Sequence, residues 1–330
     1  MKVLLLRFSS IGDIVLTTPV ARCLQKQLGA EVHFLTKRAF APILTSNPHI
    51  ARVFSFEKEI TEVLPDLKSE HYDLVVDLHH NLRSLRVKLA LGRPARSFDK
   101  LNFEKWLIVN FKTDWLPDVH IVHRYMATVA HLGVEYDGAG LDYFIPSEEE
   151  VEVSKYSNLL SEGNYLAFVL GATHATKRLP PEKAAEICQN LDQPVVLLGG
   201  KAEQATAGAI VGPNVVNLCG QLRLHQSASV VRQSAKVLTH DTGLMHIAAA
   251  FRKEIVSVWG NTIPKFGMYP FYPTGTDFNT SVEVHGLPCR PCSKIGFDRC
   301  PKGHFKCMRD ISAKEVAAVI KRMASQGLQD

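Results

Sequence analysis

The strongest constraint on this chain is a rhythm that runs, stops and starts again. Short apolar runs at residues 3–8, 31–36, 53–56 and 72–78 read as strands. Helical patterns at 14–28, 39–46 and 64–70 lie between them, and a basic helical stretch follows through Leu91. Gly29 ends the first helix and Asn47-Pro48 stops the second, as expected of residues that cannot continue one. Residues 107–111 are apolar without a clear period, and 120–132 read as a helix ending at Gly133. A polar, acidic stretch at 146–163 interrupts the pattern, with Ser147-Glu148-Glu149-Glu150 placed to cap a helix over 151–160. The alternation then resumes, with strands expected at 165–170, 195–198, 215–218, 237–239 and 255–259. Helices are expected at 181–191, 201–211, 227–234, 244–251 and 312–325.

Alternating strand and helix calls for a parallel sheet covered by helices on both faces. Two such runs in 330 residues predict an α/β chain of two Rossmann-like, doubly wound domains, 1–155 and 156–330. A cysteine-bearing loop over 287–308 and a terminal helix complete the second. Ligands in such folds sit at the carboxyl ends of strands, and the expectation is that both domains turn those ends to one cleft.

Composition narrows the class. The chain is 46% apolar and 22% charged, with a net charge of +5. That charge suits phosphates or an anionic surface and does not mark a nucleic-acid binder. The apolar run Val3 to Leu6 reads as a buried strand and not a signal peptide. No stretch approaches the ~18 apolar residues of a spanning helix. Seven cysteines, an odd number, fit a reducing compartment better than a disulfide framework. The expected location is therefore the cytoplasm.

The most informative motif is Asp241-Thr242-Gly243-Leu244-Met245-His246, between an apolar strand and a helix. Asp and Thr cap helices, Gly lets a ligand approach the backbone, and the first-turn amides favour an anion. His246, three residues past Gly243, shares the helix face that meets that anion. Ordinary capping explains the same letters. Thr173, Thr176, Lys177 and Arg178 follow the strand at 165–170, and hydroxyls beside two cations suit phosphate oxygens; a solvated loop is the bland reading. The loop lacks P-loop spacing. Gly199-Gly200 with Glu203 allows close backbone approach and a carboxylate for a sugar hydroxyl, or is a plain turn.

In the first half, Ser9-Ser10-Ile11-Gly12-Asp13 follows the first strand. Asp13 is either an N-cap or a general base. No G-x-G-x-x-G is present, which argues against a dinucleotide epimerase or dehydrogenase. Arg83, Arg86, Lys88, Arg93 and Arg96 concentrate charge after the strand at 72–78; His120, His123 and Arg124 are candidates to join them. The reading is either an anionic acceptor site or a solvated helix face. Cys289-x-x-Cys292 followed by Cys300, His304 and Cys307 has the look of a structural zinc loop. A redox-labile loop and four buried thiols remain equally open. Nothing makes such a metal catalytic.

Taken in order, these segments resemble glycosyltransferase family 9, the bacterial lipopolysaccharide heptosyltransferases. The matching pieces are Ser9-Ser10-Ile11-Gly12-Asp13 with Pro19, Arg83-Ser84 after Asp77-Leu78, Gly199-Gly200 with Glu203, and Asp241-Thr242-Gly243 with His246. The cysteine tail is similar to tails near the heptosyltransferase II branch. The resemblance implies a GT-B fold, with acceptor on the first domain and nucleotide sugar on the second. It implies an inverting, metal-independent transfer of heptose from ADP-heptose to the inner core, with no cofactor. Asp13 would be the catalytic base, and Lys177 would neutralise the leaving diphosphate. Thr173, Thr176, Arg178, Gly199, Gly200, Glu203, Asp241, Thr242, Gly243 and His246 would hold the donor. Ser9, Ser10, Gly12, Arg83, Arg86 and Arg124 would hold a lipid A–core acceptor. The Lys177-Arg178 pair departs from the commonest family loop, which leaves two cations for one role. The implied protein is a monomer touching the cytoplasmic face of the inner membrane. A GT-B transferase for another nucleotide sugar, and a non-catalytic nucleotide-sugar binder, are the alternatives.

Overall fold

A computed structural model describes residues 1–323; the expected end of the last helix, Ser325, lies outside them. Chain contacts divide it into two units. The first comprises 1–101, 118–144 and 273–275; the second comprises 102–117, 145–272 and, among the described residues, 276–323.

The first unit holds β1 (Lys2–Leu6), β2 (Glu31–Lys37), β3 (Arg52–Phe56), β4 (Leu74–Asp77) and β5 (Ala95–Ser97). They form one parallel sheet in the order β3-β2-β1-β4-β5. Val3 to Leu6 are fully buried, as a strand covered on both faces requires. Leu4, Leu6, Phe8, Phe56, Tyr72 and Val87 belong to the core on one side of this sheet.

The second unit holds β6 (Leu166–Val169), β7 (Val195–Leu198), β8 (Val215–Asn217), β9 (Lys236–His240), β10 (Glu254–Trp259) and β11 (Asn279–Glu283). This parallel sheet runs β11-β10-β9-β6-β7-β8. Each unit thus starts in the centre, winds outward, then returns to the other side of its first strand. Where that reversal occurs, neighbouring loops part at the carboxyl ends of the strands and leave room for a ligand. The reversal lies between β1 and β4 in one unit and between β6 and β9 in the other. Those four strands lead into the segments singled out in the sequence.

Local differences have physical causes. The expected helix 14–28 is two helices, Ile11–Val15 and Thr18–Leu28. Pro19 has no amide proton and its ring collides with the carbonyl four residues back. The freed carbonyls are taken by side chains: Thr18 Oγ1 donates to Val15 O at 2.8 Å and Thr17 Oγ1 to Ile14 O at 2.7 Å. Asp13 consequently lies inside the first short helix and not at an N-cap; Ser10 is the cap. The helix expected at 151–160 is only a 3₁₀ turn, Val153–Lys155. Tertiary bonds override its period: Val151 N donates to Ser229 Oγ, and Gln233 Nε2 donates to Val151 O. The edge strands β5 and β11 carried no sequence signal because short, half-exposed strands need few apolar residues.

Residues 102–111, in part ambiguous by sequence, form a helix, Asn102–Phe111. The helix and the turn after it are bonded to later segments of the same unit. Lys112 Nζ donates to Pro291 O at 2.7 Å, Lys294 Nζ donates to Asn102 Oδ1 at 3.2 Å, and Lys265 pairs with Asp114. Among the described residues no helix is long and apolar enough to cross a membrane.

Candidate active site

In the first unit, Arg7 follows β1 and ties three segments together. Its Nη1 donates to Leu78 O at 2.7 Å and to the Tyr125 hydroxyl at 3.1 Å, and its Nε donates to Ser9 O at 2.7 Å. Its Nη2 lies 2.7 Å from Asp13 Oδ1. The other Asp13 oxygen accepts from Ser10 Oγ at 2.8 Å and from Ser10 N at 3.2 Å. Burial opposes the Arg7 charge, but Asp13 and Tyr125 outweigh it and hold the guanidinium pKa above its ordinary value. Asp13 is therefore an oriented carboxylate at the reversal point of the sheet, half-buried beside exposed Ser10 and buried Gly12. Arg7 was not a sequence candidate, because a lone arginine ending a strand gives no sign of what it will reach.

The loop after β4 is organised by Asp77, which is fully buried. Its Oδ1 accepts from the amides of His79 and His80, and its Oδ2 accepts from Ser84 Oγ at 2.8 Å and Lys88 Nζ at 2.9 Å. Burial would raise the Asp77 pKa, yet Lys88 and these donors hold it below the ordinary value. Asn81 Oδ1 caps the helix Leu82–Leu91 by accepting from Ser84 N at 2.9 Å. Arg83 is half-buried and Arg86 exposed on that helix, beside exposed Leu82, Leu85 and Leu89. His79 packs against the Phe8 ring. Burial, with Arg7 and Lys100 nearby, pushes its pKa down to about 4, so it is a neutral imidazole at pH 7. Arg124 is buried, which lowers its pKa against the opposing effect of Tyr125 and Asp99.

In the second unit, four strand-end loops meet. Lys177, after β6, places Nζ 2.6 Å from Asp241 Oδ2, after β9. The same oxygen accepts from Thr262 Oγ1, after β10, at 3.1 Å. Arg178 pairs with Glu203, after β7, at 3.2 Å and donates from Nε to Ala172 O at 2.8 Å. Glu203 also accepts from Gly200 N at 2.9 Å. A Cβ on Gly199 would lie 2.8 Å from Glu203 Cβ, so this turn excludes any larger residue without a shift. Thr242 is the N-cap of the helix Gly243–Ala250, and His246 is buried within it. Two cations, each steadied by one carboxylate, thus stand with a helix start that no side chain caps, a constellation suited to a polyanion. Thr173 is exposed in the same loop. Thr176 is turned the other way: its hydroxyl exchanges hydrogen bonds with the backbone of Phe297.

The cysteine loop braces this constellation. Arg290 Nη2 donates to Thr262 O at 2.9 Å, Arg290 also donates to Gly260 O and pairs with Glu283, and Cys292 N donates to Asn261 O at 3.2 Å. With Phe297 holding Thr176, the loop supports both the 175–177 and the 260–262 segments. Replacing Arg290 by alanine leaves two carbonyls and a carboxylate without this donor, and stranding polar groups in a part-buried site costs about 1–3 kcal/mol. The expected result is a clearly lower midpoint in thermal or urea unfolding; an unchanged midpoint would refute the bracing role. Thr262 and Arg290 were invisible in the sequence, since their partners lie 21 and 28 residues away.

The four loop thiols are not gathered into a closed ligand set. Cys289 Sγ lies 3.7 Å from His304 Nε2. However, among the described residues only Glu31, His33 and Glu70 bring three ligand atoms within 4.8 Å of one another. That trio sits where Lys2 Nζ already contacts Glu70 at 2.6 Å and Glu31 at 3.5 Å.

Two doubly wound parallel sheets in one chain, each with its polar groups collected at the reversal point, define a GT-B transferase fold. Residues 60–295 match the model of glycosyltransferase family 9 (heptosyltransferase), and the chain belongs to that family. It is 26% identical over 322 residues to lipopolysaccharide heptosyltransferase 1 of Pseudomonas aeruginosa, covering 89% of this chain and 86% of that one. It is 23% identical over 297 residues to lipopolysaccharide heptosyltransferase 2 of Escherichia coli, covering 81% and 84%. The crystal structure of the glycosyl transferase family 9 protein from Veillonella parvula superposes with a TM-score of 0.78 at 19% identity, covering 98% and 97%. The E. coli ADP-heptose lipopolysaccharide heptosyltransferase II gives 0.72 at 20% identity, covering 99% of each chain. At these identities the two structures speak for the fold alone.

Proposed function

We propose that this chain is an inverting glycosyltransferase that moves heptose from ADP-heptose to the inner core of lipopolysaccharide without a divalent metal or other cofactor. The observation that carries the reading is the meeting of Lys177, Arg178, Asp241 and Glu203 at the start of the Gly243–Ala250 helix. Fixed cations and helix amides there can take up the charge of a leaving diphosphate. Family membership and the heptosyltransferase names of the relatives support the substrate class.

In this reading Asp13 takes the proton of the acceptor hydroxyl. That oxygen bonds to the anomeric carbon as the bond from that carbon to the diphosphate oxygen breaks on the opposite face. ADP departs with the bonding pair, and Lys177 meets the charge that develops on it. One displacement inverts the anomeric centre. The Arg7 ion pair and the hydrogen bonds from Ser10 keep Asp13 oriented.

The deciding experiment combines purified protein, ADP-heptose and a lipid A–core acceptor ending in acidic sugars, with EDTA present. One ADP per product, an inverted anomeric configuration and an undiminished rate are expected. Donor binding without product, even in a single turnover, would identify a binding protein. Activity lost in EDTA and restored only by magnesium would overturn metal independence. Slow zinc release with a falling melting temperature would instead place a structural ion in the cysteine loop.

The acceptor is assigned to the first unit. Arginine binds carboxylates and phosphates bidentately, and the leucines exposed beside Arg83 and Arg86 suit an amphiphile. Replacing either arginine by glutamine is expected to raise the acceptor KM about tenfold, the scale of one charge-assisted hydrogen bond. The donor KM should hardly move, and the effect should shrink with added salt. Unchanged acceptor kinetics in both variants would remove this helix from the acceptor site. A lipid-anchored acceptor places the monomeric protein at the cytoplasmic face of the inner membrane, with no role for nucleic acid.

A further inference from the structure

We propose that the helix Asn102–Phe111 and the turn after it form the surface on which the protein docks to an anionic lipid bilayer. The proposal rests on the preceding reading only for which membrane is meant; the surface itself follows from the residues. Phe103, Trp106, Phe111 and Trp115 are 50–64% exposed. Their rings nevertheless touch one another: Phe103–Trp106 centroids are 6.2 Å apart, Trp106–Phe111 5.2 Å and Phe103–Trp115 6.5 Å. A soluble surface carries scattered apolar side chains, but a contiguous exposed aromatic cluster marks an interaction site.

The cluster is held rigidly. Lys112 Nζ donates to Val109 O at 2.8 Å and to Pro291 O at 2.7 Å, and Lys294 Nζ reaches Asn102 Oδ1 at 3.2 Å. Lys294 is followed by Ile295, which is itself exposed. A ten-residue helix is too short to span a bilayer, but it can lie in the interface with its rings among the headgroups. Tryptophan is the side chain most at home there.

Charge selects the occupant. Residues 100–117 and 288–308 carry eight Lys and Arg against three Asp and Glu, an excess equal to the +5 of the whole chain. Lys294, Arg299, Lys302 and Lys306 are exposed. Lys294 adjoins the helix directly, and an anionic leaflet attracts cations at its surface by about 1 kcal/mol each. A second copy of this chain would bring the same positive rim against itself across a two-fold axis, which disfavours a dimer on this face.

The chain contains its own probe. Of its three tryptophans, Trp106 and Trp115 are in the cluster and Trp259 is 1% exposed. The test is co-sedimentation and tryptophan emission with vesicles of phosphatidylglycerol and phosphatidylethanolamine, with phosphatidylcholine vesicles as the neutral arm. Wild-type protein should pellet with the anionic vesicles alone, with a blue shift and a loss of binding at high salt. The triple variant F103S/W106S/W115S should partition at least about tenfold more weakly, and K294E/K302E should fall by a similar factor. W106F/W115F should bind while losing the blue shift. Wild-type protein that stays in the supernatant, or a triple variant that pellets like wild type, overturns the proposal. So does sedimentation velocity without vesicles that shows a dimer lost in the triple variant. Transfer to a delipidated, soluble acceptor should be unchanged in all three variants. If wild-type protein binds vesicles but transfers no heptose, the fault lies with the proposed reaction and not with this surface.

Discussion

Replacing Asp13 by asparagine or alanine is expected to lower turnover by about 10²–10⁴, the usual cost of losing a general base, and to leave ADP-heptose affinity within a few-fold. The two variants separate chemistry from architecture. Asn keeps an oxygen that can accept from Ser10 N and a neighbour for Arg7, but it cannot take a proton. Ala also deprives Arg7 of its partner at 2.7 Å. The Arg7 side chain is only 11% exposed, so an unpaired charge there is costly, and the melting temperature of the Ala variant should fall by several degrees. Calorimetric donor binding, ADP release and thermal unfolding together read out each part. If the Asn variant turns over at nearly the wild-type rate, Asp13 serves only to close the Ser10 capping box.

Lys177→Ala is expected to lower kcat by about 10²–10³, the scale seen when one group that stabilises developing charge is removed. Arg178→Ala should act mainly through the donor KM. The distinction comes from their partners. Lys177 meets Asp241 at the start of the Gly243–Ala250 helix, where no side chain caps the first turn and the helix dipole favours an anion. Arg178 is held by Glu203 and by the carbonyl of Ala172, and so shapes the loop as much as it meets a ligand. Lys177→Arg should recover part of the loss, because charge returns without the same reach. Steady-state kinetics varying ADP-heptose, on proteins checked for unchanged melting temperature, decide the matter. A Lys177→Ala variant with wild-type kcat would remove the lysine from the leaving-group role.

Much of this was legible without a structure, and the reason is local. Each central strand is found within or across its expected apolar run, with its ends shifted by two residues at most, and β7, residues 195–198, coincides to the residue. The segments 7–13, 171–178, 199–203 and 240–243 stood out because the chain that leaves a parallel strand must cap a helix within a few residues. Capping residues, glycines and hydroxyls betray that turn wherever it occurs. Propensity alone misread residues 151–160, where hydrogen bonds to Ser229 and Gln233 fix Val151 and leave only the 3₁₀ turn Val153–Lys155. It also ran the 14–28 helix through Pro19, although the proline that divides it was in plain view.

What the sequence by itself determined, then, is the succession of strands and helices and the short polar turns between them, since period and capping act over a few residues. The tertiary structure alone decided which of those turns meet. Lys177 and Asp241 are 64 residues apart, Arg7 and Tyr125 are 118 apart, and Lys112 and Pro291 are 179 apart. Only the strand order of the two sheets brings such pairs within hydrogen-bond reach. The same holds for the helix Asn102–Phe111. Its sequence is apolar without a clear period over 107–111, and Phe103, Trp106 and Phe111 are exposed because the fold ties its ends to distant loops.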